Sequence, residues 1–191
     1  MKTTEPLRPD IARELITLAE QSAERRAQRV RNQLDAVQLG RGRHADHANA
    51  KVLRRILSDH DWPGRPLVGP DGAQAAWIIA LHSDDEPDFQ RAAAVLLRRA
   101  VQATDAPIQH WAHLHDRALI NNGHDQVFGT QYLLGANGIE LCALREPSTL
   151  DQRRAGVGLP PVAAVLEKMR HRFPPMRGDG DSPTVVLAGA A

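Results

Sequence analysis

The chain has 191 residues, of which 42% are hydrophobic and 25% charged; this predicts one globular domain and excludes a chain disordered over most of its length. Aromatic residues are only 4%, so Ala, Leu, Ile and Val must form the core, which suits close-packed helices. The 24 Lys and Arg against 23 Asp and Glu exclude the strong basic excess typical of nucleic-acid-binding proteins.

The N-terminal third of the chain predicts two helices. The first ten residues hold no apolar segment, and no apolar run approaches the roughly 20 residues of a membrane span, so a cytoplasmic protein without a signal peptide is expected. Helical spacing then predicts a first helix that starts at Pro9 and ends at Gly40 and Gly42. The second helix is predicted over residues 44–59.

The middle of the chain is divided by a segment rich in proline and glycine. Residues 62–70 contain three prolines and two glycines, so we predict that this segment is irregular. Three helices are predicted after it, over about residues 72–82, 84–103 and 105–121. Asp84 is expected to cap the second of them, with Pro87 in its first turn, where a proline costs no hydrogen bond.

The C-terminal third predicts the only sheet. Asn137-Gly138 lies between two apolar segments, which indicates a β-hairpin near residues 126–144. Two helices are predicted after it, one capped by Ser148 and reaching about residue 155, the other from Pro160-Pro161 to about residue 173. The predicted fold is therefore mainly α: a single-domain bundle of about six to seven helices over residues 1–173, with a flexible tail over 174–191.

The first group of candidate site residues follows the helix predicted over 72–82. His82 is expected at the C-terminus of this helix, where the helix dipole favours the charged imidazole. Asp84 lies two residues further on and could raise its basicity. This arrangement suits a general acid or base, and the alternative is a structural histidine beside a helix cap.

A second group lies on the helix predicted over 105–121. His110, His113 and Arg117 share one face of this helix, and two histidines with i, i+3 spacing could hold zinc or iron. The spacing lacks the stricter H-E-x-x-H form, so a divalent metal on His110 and His113 is only the weaker alternative, and no cofactor is predicted. Asp116 and Arg117 are adjacent and therefore point in different directions.

Polar residues also accompany the predicted hairpin and the helix after it. Gln126 and Thr130 would share one face of a regular strand with Phe128, where buried polar groups need partners and a polar ligand could supply them. Arg153 and Arg154 could clamp a carboxylate or phosphate, or anchor their own helix. Cys142, the only cysteine, lies in an apolar strand and is predicted to be a core thiol, since no basic residue stands close to it.

The order of the motifs resembles that of one protein family. The motifs are Trp62-Pro63-Gly64, Ala76-Trp77, His82-Ser83-Asp84, Asp116-Arg117, Gln126-Val127-Phe128-Gly129-Thr130-Gln131 and Asp151-Gln152-Arg153-Arg154. Their order and spacing over about residues 45–166 resemble domain of unknown function family 6624, a bacterial family. Phe128 stands where the family has tyrosine, so this chain lacks that hydroxyl.

The resemblance implies a set of site residues but no reaction. The polar positions of the family match His82, Asp84, Asp116, Arg117, Gln126, Thr130, Gln131, Arg153 and Arg154. In the first of two hypotheses, the protein is a hydrolase- or lyase-like enzyme of specialised metabolism. Its substrate is a small polar, anionic metabolite. The catalytic residues are His82, Asp84 and Asp116, and the remaining six residues bind the substrate.

The second hypothesis is a non-catalytic module that binds a metabolite or a protein. In it, the same polar residues form a structural network. Both hypotheses expect a small-molecule or protein partner and leave a homo-oligomer open, and neither expects nucleic acid or a membrane.

Overall fold

A computed structural model of the chain describes residues 5–30, 36–135, 137–174 and 185–188. This part of the chain holds seven α-helices and a three-stranded antiparallel sheet, which confirms the predicted mainly helical class. The internal contacts divide the chain into two compact units, Met1–Pro107 and Ile108–Ala191. The single domain over residues 1–173 stays a prediction.

The first unit contains four helices, α1 Pro9–Val30, α2 Ala36–His60, α3 Arg65–Leu81 and α4 Pro87–Gln102. The predicted boundary between α1 and α2 was wrong, since α1 ends at Val30 and α2 continues through Gly40 and Gly42. An isolated glycine inside a helix costs only about 1 kcal/mol relative to alanine, which the neighbouring turns of a long helix offset.

Helix α3 starts earlier than the sequence predicts. Its first turn forms from Arg65, inside the segment expected to be irregular. The break is confined to Gly69, whose φ of 73° lies in the left-handed region that glycine adopts without strain. Pro70 directly after it begins the second part of the helix, where a missing N–H costs no hydrogen bond.

The core of the first unit is built from leucine, isoleucine and alanine, as the composition predicts. Leu15, Leu53 and Leu97 are fully buried on α1, α2 and α4. Helix α1 approaches α3 closely at Gly72, where an added Cβ would lie 3.2 Å from the Ala12 side chain. Across the described residues, no helix is both long and apolar enough to cross a membrane.

The second unit combines helices with the sheet. It contains α5 Ile108–Asn121, β1 Gln131–Gly135, β2 Gly138–Leu141, a 3₁₀ turn Pro147–Thr149, α6 Leu150–Gly156, α7 Val162–Arg172 and β3 Val185–Ala188. The strand order is β2-β1-β3, so β1 is central and antiparallel to both neighbours. Tyr132 on β1 is fully buried and packs with Ile139 and Met169.

The hairpin is confirmed, but it is shorter than predicted and is not the whole sheet. Gln126 forms only an isolated bridge with Leu144. Residues 127–130 form a loop, because the N–H groups of Val127, Phe128 and Thr130 bind the Asp116 side chain of α5 instead of a neighbouring strand. The segment predicted as a tail supplies β3, whose Leu187 pairs with Tyr132 and joins the same apolar cluster. Residues 175–184 and 189–191 of that segment lie outside the described residues.

The cap of α6 also differs from the prediction. Ser148 lies within the 3₁₀ turn and does not cap α6, which follows Thr149 without a side-chain cap hydrogen bond. The carboxylate of Asp151 instead accepts the N–H of Val162 at 2.9 Å, at the start of α7. A side chain of α6 thereby satisfies one of the free N–H groups of the next helix.

Candidate functional site

The candidate site residues are divided between the two units. His82 and Asp84 belong to the first unit, in the loop between α3 and α4. The other seven belong to the second unit: Asp116, Arg117, Gln126, Thr130, Gln131, Arg153 and Arg154. The first group lines a cleft, whereas the second group forms hydrogen bonds within the protein.

A polar cleft of about 210 Å³ contains the first group. His82 and Asp84 line it from the loop between α3 and α4, and side chains of α1 and α2 line it from the other side. Four carboxylates and two guanidinium groups share the cleft with two imidazoles: Asp46, Asp84, Asp85, Glu86, Arg29, Arg43, His47 and His82. The walls therefore offer groups of both charges together with two imidazoles, the side chain used most often for proton transfer.

The loop that carries His82 is held by a buried glutamine. His82 is half-buried and directly follows the last residue of α3, the helix terminus that the sequence predicts for it. Gln90 on α4 is fully buried, and its Nε2 donates to the backbone oxygens of Ala80 at 3.2 Å and Leu81 at 3.0 Å. These bonds fix the end of α3, and with it the backbone position of His82.

Asp84 does not cap α4, contrary to the prediction. The helix starts at Pro87, and the residue before it is Glu86. Asp84 is exposed at the cleft, and its Oδ1 is 3.4 Å from the Gln90 amide. Asp84 therefore lies at the border of the cleft and not at the N-cap position.

The structure adds a histidine and a carboxylate to the cleft that the sequence did not indicate. The Nδ1 atom of His47 on α2 contacts Oε1 of Glu86, and the other oxygen of Glu86 lies 2.7 Å from the guanidinium of Arg54. The only local signal is that His47 and Arg54 are seven positions apart on one helix and therefore share a face. Nothing in the local pattern connects them with Glu86, 32 residues beyond Arg54.

Two arginines of the cleft were also missed. Arg29 and Arg43 are exposed, and neither forms an ion pair or hydrogen bond with any of the residues described by the structure. Asp46 beside them accepts the hydroxyl of Ser22 at 2.8 Å and a nitrogen of Arg25 at 3.3 Å. The two guanidinium groups are therefore the cations of the cleft that remain available to an anionic ligand.

In the second unit, the carboxylate of Asp116 holds the loop that precedes β1. It accepts the N–H of Val127 at 2.8 Å, of Phe128 at 3.1 Å and of Thr130 at 3.1 Å, and the Thr130 hydroxyl at 2.9 Å. Asp116 is fully buried, and this burial raises the pKa of its carboxyl group although the four donors oppose the shift. Its oxygens are thus occupied by the protein itself.

Two buried glutamines connect the same loop to the hairpin. Gln126 donates through Nε2 to the backbone oxygens of Gln131 and Cys142, both at 3.0 Å, and accepts the N–H of Gln131 at 2.9 Å. The side chain of Gln131 donates to the backbone oxygen of His113 and accepts from Arg117 at 3.3 Å. These bonds satisfy buried amides that would otherwise cost about 1–3 kcal/mol each.

The two arginines of α6 bind backbone carbonyl groups. Arg154 is buried and donates to Pro160 at 2.6 Å, Phe128 at 2.6 Å and Gly129 at 2.9 Å. Arg153 donates to the carbonyl oxygens of Val127 at 2.8 Å, Arg145 at 2.5 Å and Glu146 at 3.2 Å. Together the two guanidinium groups thus anchor the loops before and after α6. A substrate-binding role for these arginines stays a prediction.

The histidines proposed as metal ligands differ in burial. His113 is 1% exposed, and this burial lowers its pKa to about 4, assisted by the charge of Arg154. His110 is half-buried on the same helix. Within the described ranges, no three His, Cys, Asp or Glu side chains are grouped so that they could hold a metal ion. Cys142 is buried, and burial raises the pKa of its thiol, as expected of a core cysteine.

The chain matches one family of known sequences. The family model covers residues 9–173 and is described as a family of unknown function, DUF6624. No curated protein and no solved structure matches the chain.

Proposed function

The chain belongs to DUF6624, a family of unknown function, and we propose from the chemistry of the cleft that it is an enzyme acting on a small polar metabolite. The observation that carries the proposal is the presence of His82 and Asp84 in one cleft with a second histidine and two available arginines. Groups that exchange protons and groups that bind charge are the two components that acid–base catalysis requires.

Each group of the cleft has a role in this proposal. His82 donates or accepts the proton, and Asp84 stabilises its charged form. Arg29 and Arg43 bind an anionic group of the substrate, the role that the sequence assigned to Arg117, Arg153 and Arg154. A cleft of about 210 Å³ is smaller than the roughly 300–1,000 Å³ of drug-sized pockets, so a small metabolite is expected. Hydrolysis and elimination are both compatible with this set.

We expect a metabolite that binds the cleft to raise the melting temperature of the wild type but not of His82→Gln. A ligand at one hundred times its Kd stabilises a protein by about 2.7 kcal/mol, or roughly 5–10 °C for a chain of this length. The measurement is a thermal-shift screen of both proteins against a metabolite panel, followed by product detection for each ligand found. Turnover is expected to fall by about 10²–10⁴-fold in His82→Gln, the usual contribution of a general acid or base.

His124→Gln is the matched control, because His124 is exposed and lies in the second unit, outside the cleft. It should behave like the wild type with every ligand. A His82→Gln protein that is folded, binds the same ligand and turns it over at the wild-type rate would refute the proposal.

A second candidate function, a non-catalytic binding module, is supported by the hydrogen bonds of the second unit. There, all seven family polar positions donate to or accept from the protein itself, as a structural network requires. The same screen separates the two candidates. A ligand that stabilises the wild type, is never converted and loses its effect in His82→Gln would favour the binding module.

A further inference from the structure

We propose that His47 is the base of the cleft, that Glu86 is its positioning residue, and that His82 is the acid. This inference rests on the proposed function and assigns the two proton-transfer roles within the same site. It depends on the contact between His47 and Glu86, on the support that Glu86 receives, and on the position of His82 at the end of α3.

The contact of Glu86 with His47 selects one tautomer of the imidazole. Because a carboxylate only accepts hydrogen bonds, Nδ1 of His47 must carry the proton that it presents to Oε1 of Glu86. In the neutral ring this leaves the lone pair on Nε2, which is then the basic nitrogen. A carboxylate that binds Nδ1 and leaves Nε2 able to take a proton also orients the histidine of hydrolytic triads.

Glu86 is held on its second oxygen. Arg54 lies 2.7 Å from Oε2, and its guanidinium stands 5.0 Å from the centre of the Phe89 ring, a cation–π contact that restrains the arginine. Only 20% of the Glu86 side chain is exposed, against 45% for His47. The carboxylate is therefore the more restrained partner, and it positions the more exposed imidazole that borders the cleft.

His82 suits the complementary role. It directly follows the last residue of α3, where the negative end of the helix dipole stabilises a protonated imidazole. In hydrolysis, Nε2 of His47 takes a proton from water while the water oxygen forms a bond to the substrate. In elimination, Nε2 takes a proton from a substrate carbon, and the electrons of the broken C–H bond form a double bond. In both, the leaving group departs with its bonding electrons and receives the proton of His82.

The first test measures the tautomer of His47 without any ligand. Long-range ¹H–¹⁵N spectra of the ¹⁵N-labelled full chain, at a pH where the imidazoles are neutral, report which ring nitrogen carries the proton. His47→Gln identifies the signals. We expect the Nδ1–H form in the wild type and its loss in Glu86→Ala. That variant should fold, since Glu86 makes no side-chain cap hydrogen bond to α4.

Asp88→Ala is the matched control, because Asp88 is an exposed carboxylate in the first turn of the same helix and does not line the cleft. It should leave the His47 signals unchanged. An Nε2–H form of His47 in the wild type, or a tautomer unchanged in Glu86→Ala, would overturn the role of Glu86.

The second test uses a substrate found by the metabolite screen. Glu86→Ala and His47→Gln should each lower kcat by at least tenfold with a small change in KM, and Asp88→Ala should match the wild type. Wild-type turnover that is lost in His82→Gln but retained in His47→Gln would overturn the role of His47 and leave the proposed function intact. A ligand that is never converted would overturn the proposed function, while the spectra would still decide the contact with Glu86.

Discussion

Replacing Asp116 with asparagine is expected to lower the free energy of unfolding by about 3–5 kcal/mol. The carboxylate accepts three backbone N–H groups and one hydroxyl in a fully buried position. Asparagine keeps one acceptor oxygen and turns an N–H₂ group toward the remaining donors, so buried donors lose their partners at about 1–3 kcal/mol each. For a chain of this length, the melting temperature should fall by roughly 10 °C.

Asp125→Asn provides the matched comparison, since the chemical change is the same at an exposed position of the adjacent loop. Its effect should stay within about 0.5 kcal/mol of zero. Thr130→Val should fall between the two, because it removes the 2.9 Å hydroxyl bond to Asp116 and the acceptor of the Gln131 amide but leaves the three backbone bonds to the carboxylate. Urea unfolding of the three variants measures the ranking. Equal stabilities of Asp116→Asn and Asp125→Asn would mean that the carboxylate does not hold the loop.

The second large effect is a loss of stability in acid that originates at His113. Burial lowers its pKa from 6.5 to about 4. Between these two pH values the unfolded state binds a proton on His113, whereas the folded state does not. The stabilisation is therefore complete above pH 6.5 and is lost as the pH falls through the interval toward 4. Since each pKa unit corresponds to about 1.4 kcal/mol, the total loss is about 3 kcal/mol.

The measurement is urea unfolding of the wild type and His113→Gln between pH 7.5 and pH 4. Asp116 acts in the opposite direction, because a carboxyl whose pKa is raised by burial stabilises the folded state as it takes up a proton in acid. The difference between the two proteins removes this common contribution. The stability advantage of the wild type should shrink by about 3 kcal/mol across the interval. A difference that stays constant between pH 7.5 and pH 4 would contradict the assignment to His113.

Asp116→Asn and His113→Gln both change the second unit, whereas the proposed chemistry lies in the first. The residues of the second unit that match the family pattern bind the loop before β1 and the loops around α6. A folded variant there that loses stability without losing ligand binding would support this division of roles. His82, His47 and Glu86 are the positions where we expect the opposite result, a loss of activity in a protein of nearly normal stability.

The sequence by itself determined that the chain is mainly helical and that a hairpin turns at Asn137-Gly138. These features depend on neighbours within a few positions: the 3.6-residue period, the turn preference of Asn137-Gly138, and the missing N–H of Pro87. Where a glycine had a helical context on both sides, as at Gly40, the local signal failed because it is weaker than the helix around it.

Only the tertiary structure decided which polar residues meet. The resemblance to the family singled out Asp116 and Arg154, but it could not show that both bind backbone groups of the loop before β1. The pairing of β3 with β1 and the contact of His47 with Glu86 likewise join segments far apart in the chain. Such contacts depend on how the helices and strands pack, because the residues next to a side chain in the sequence do not indicate its partner in the fold.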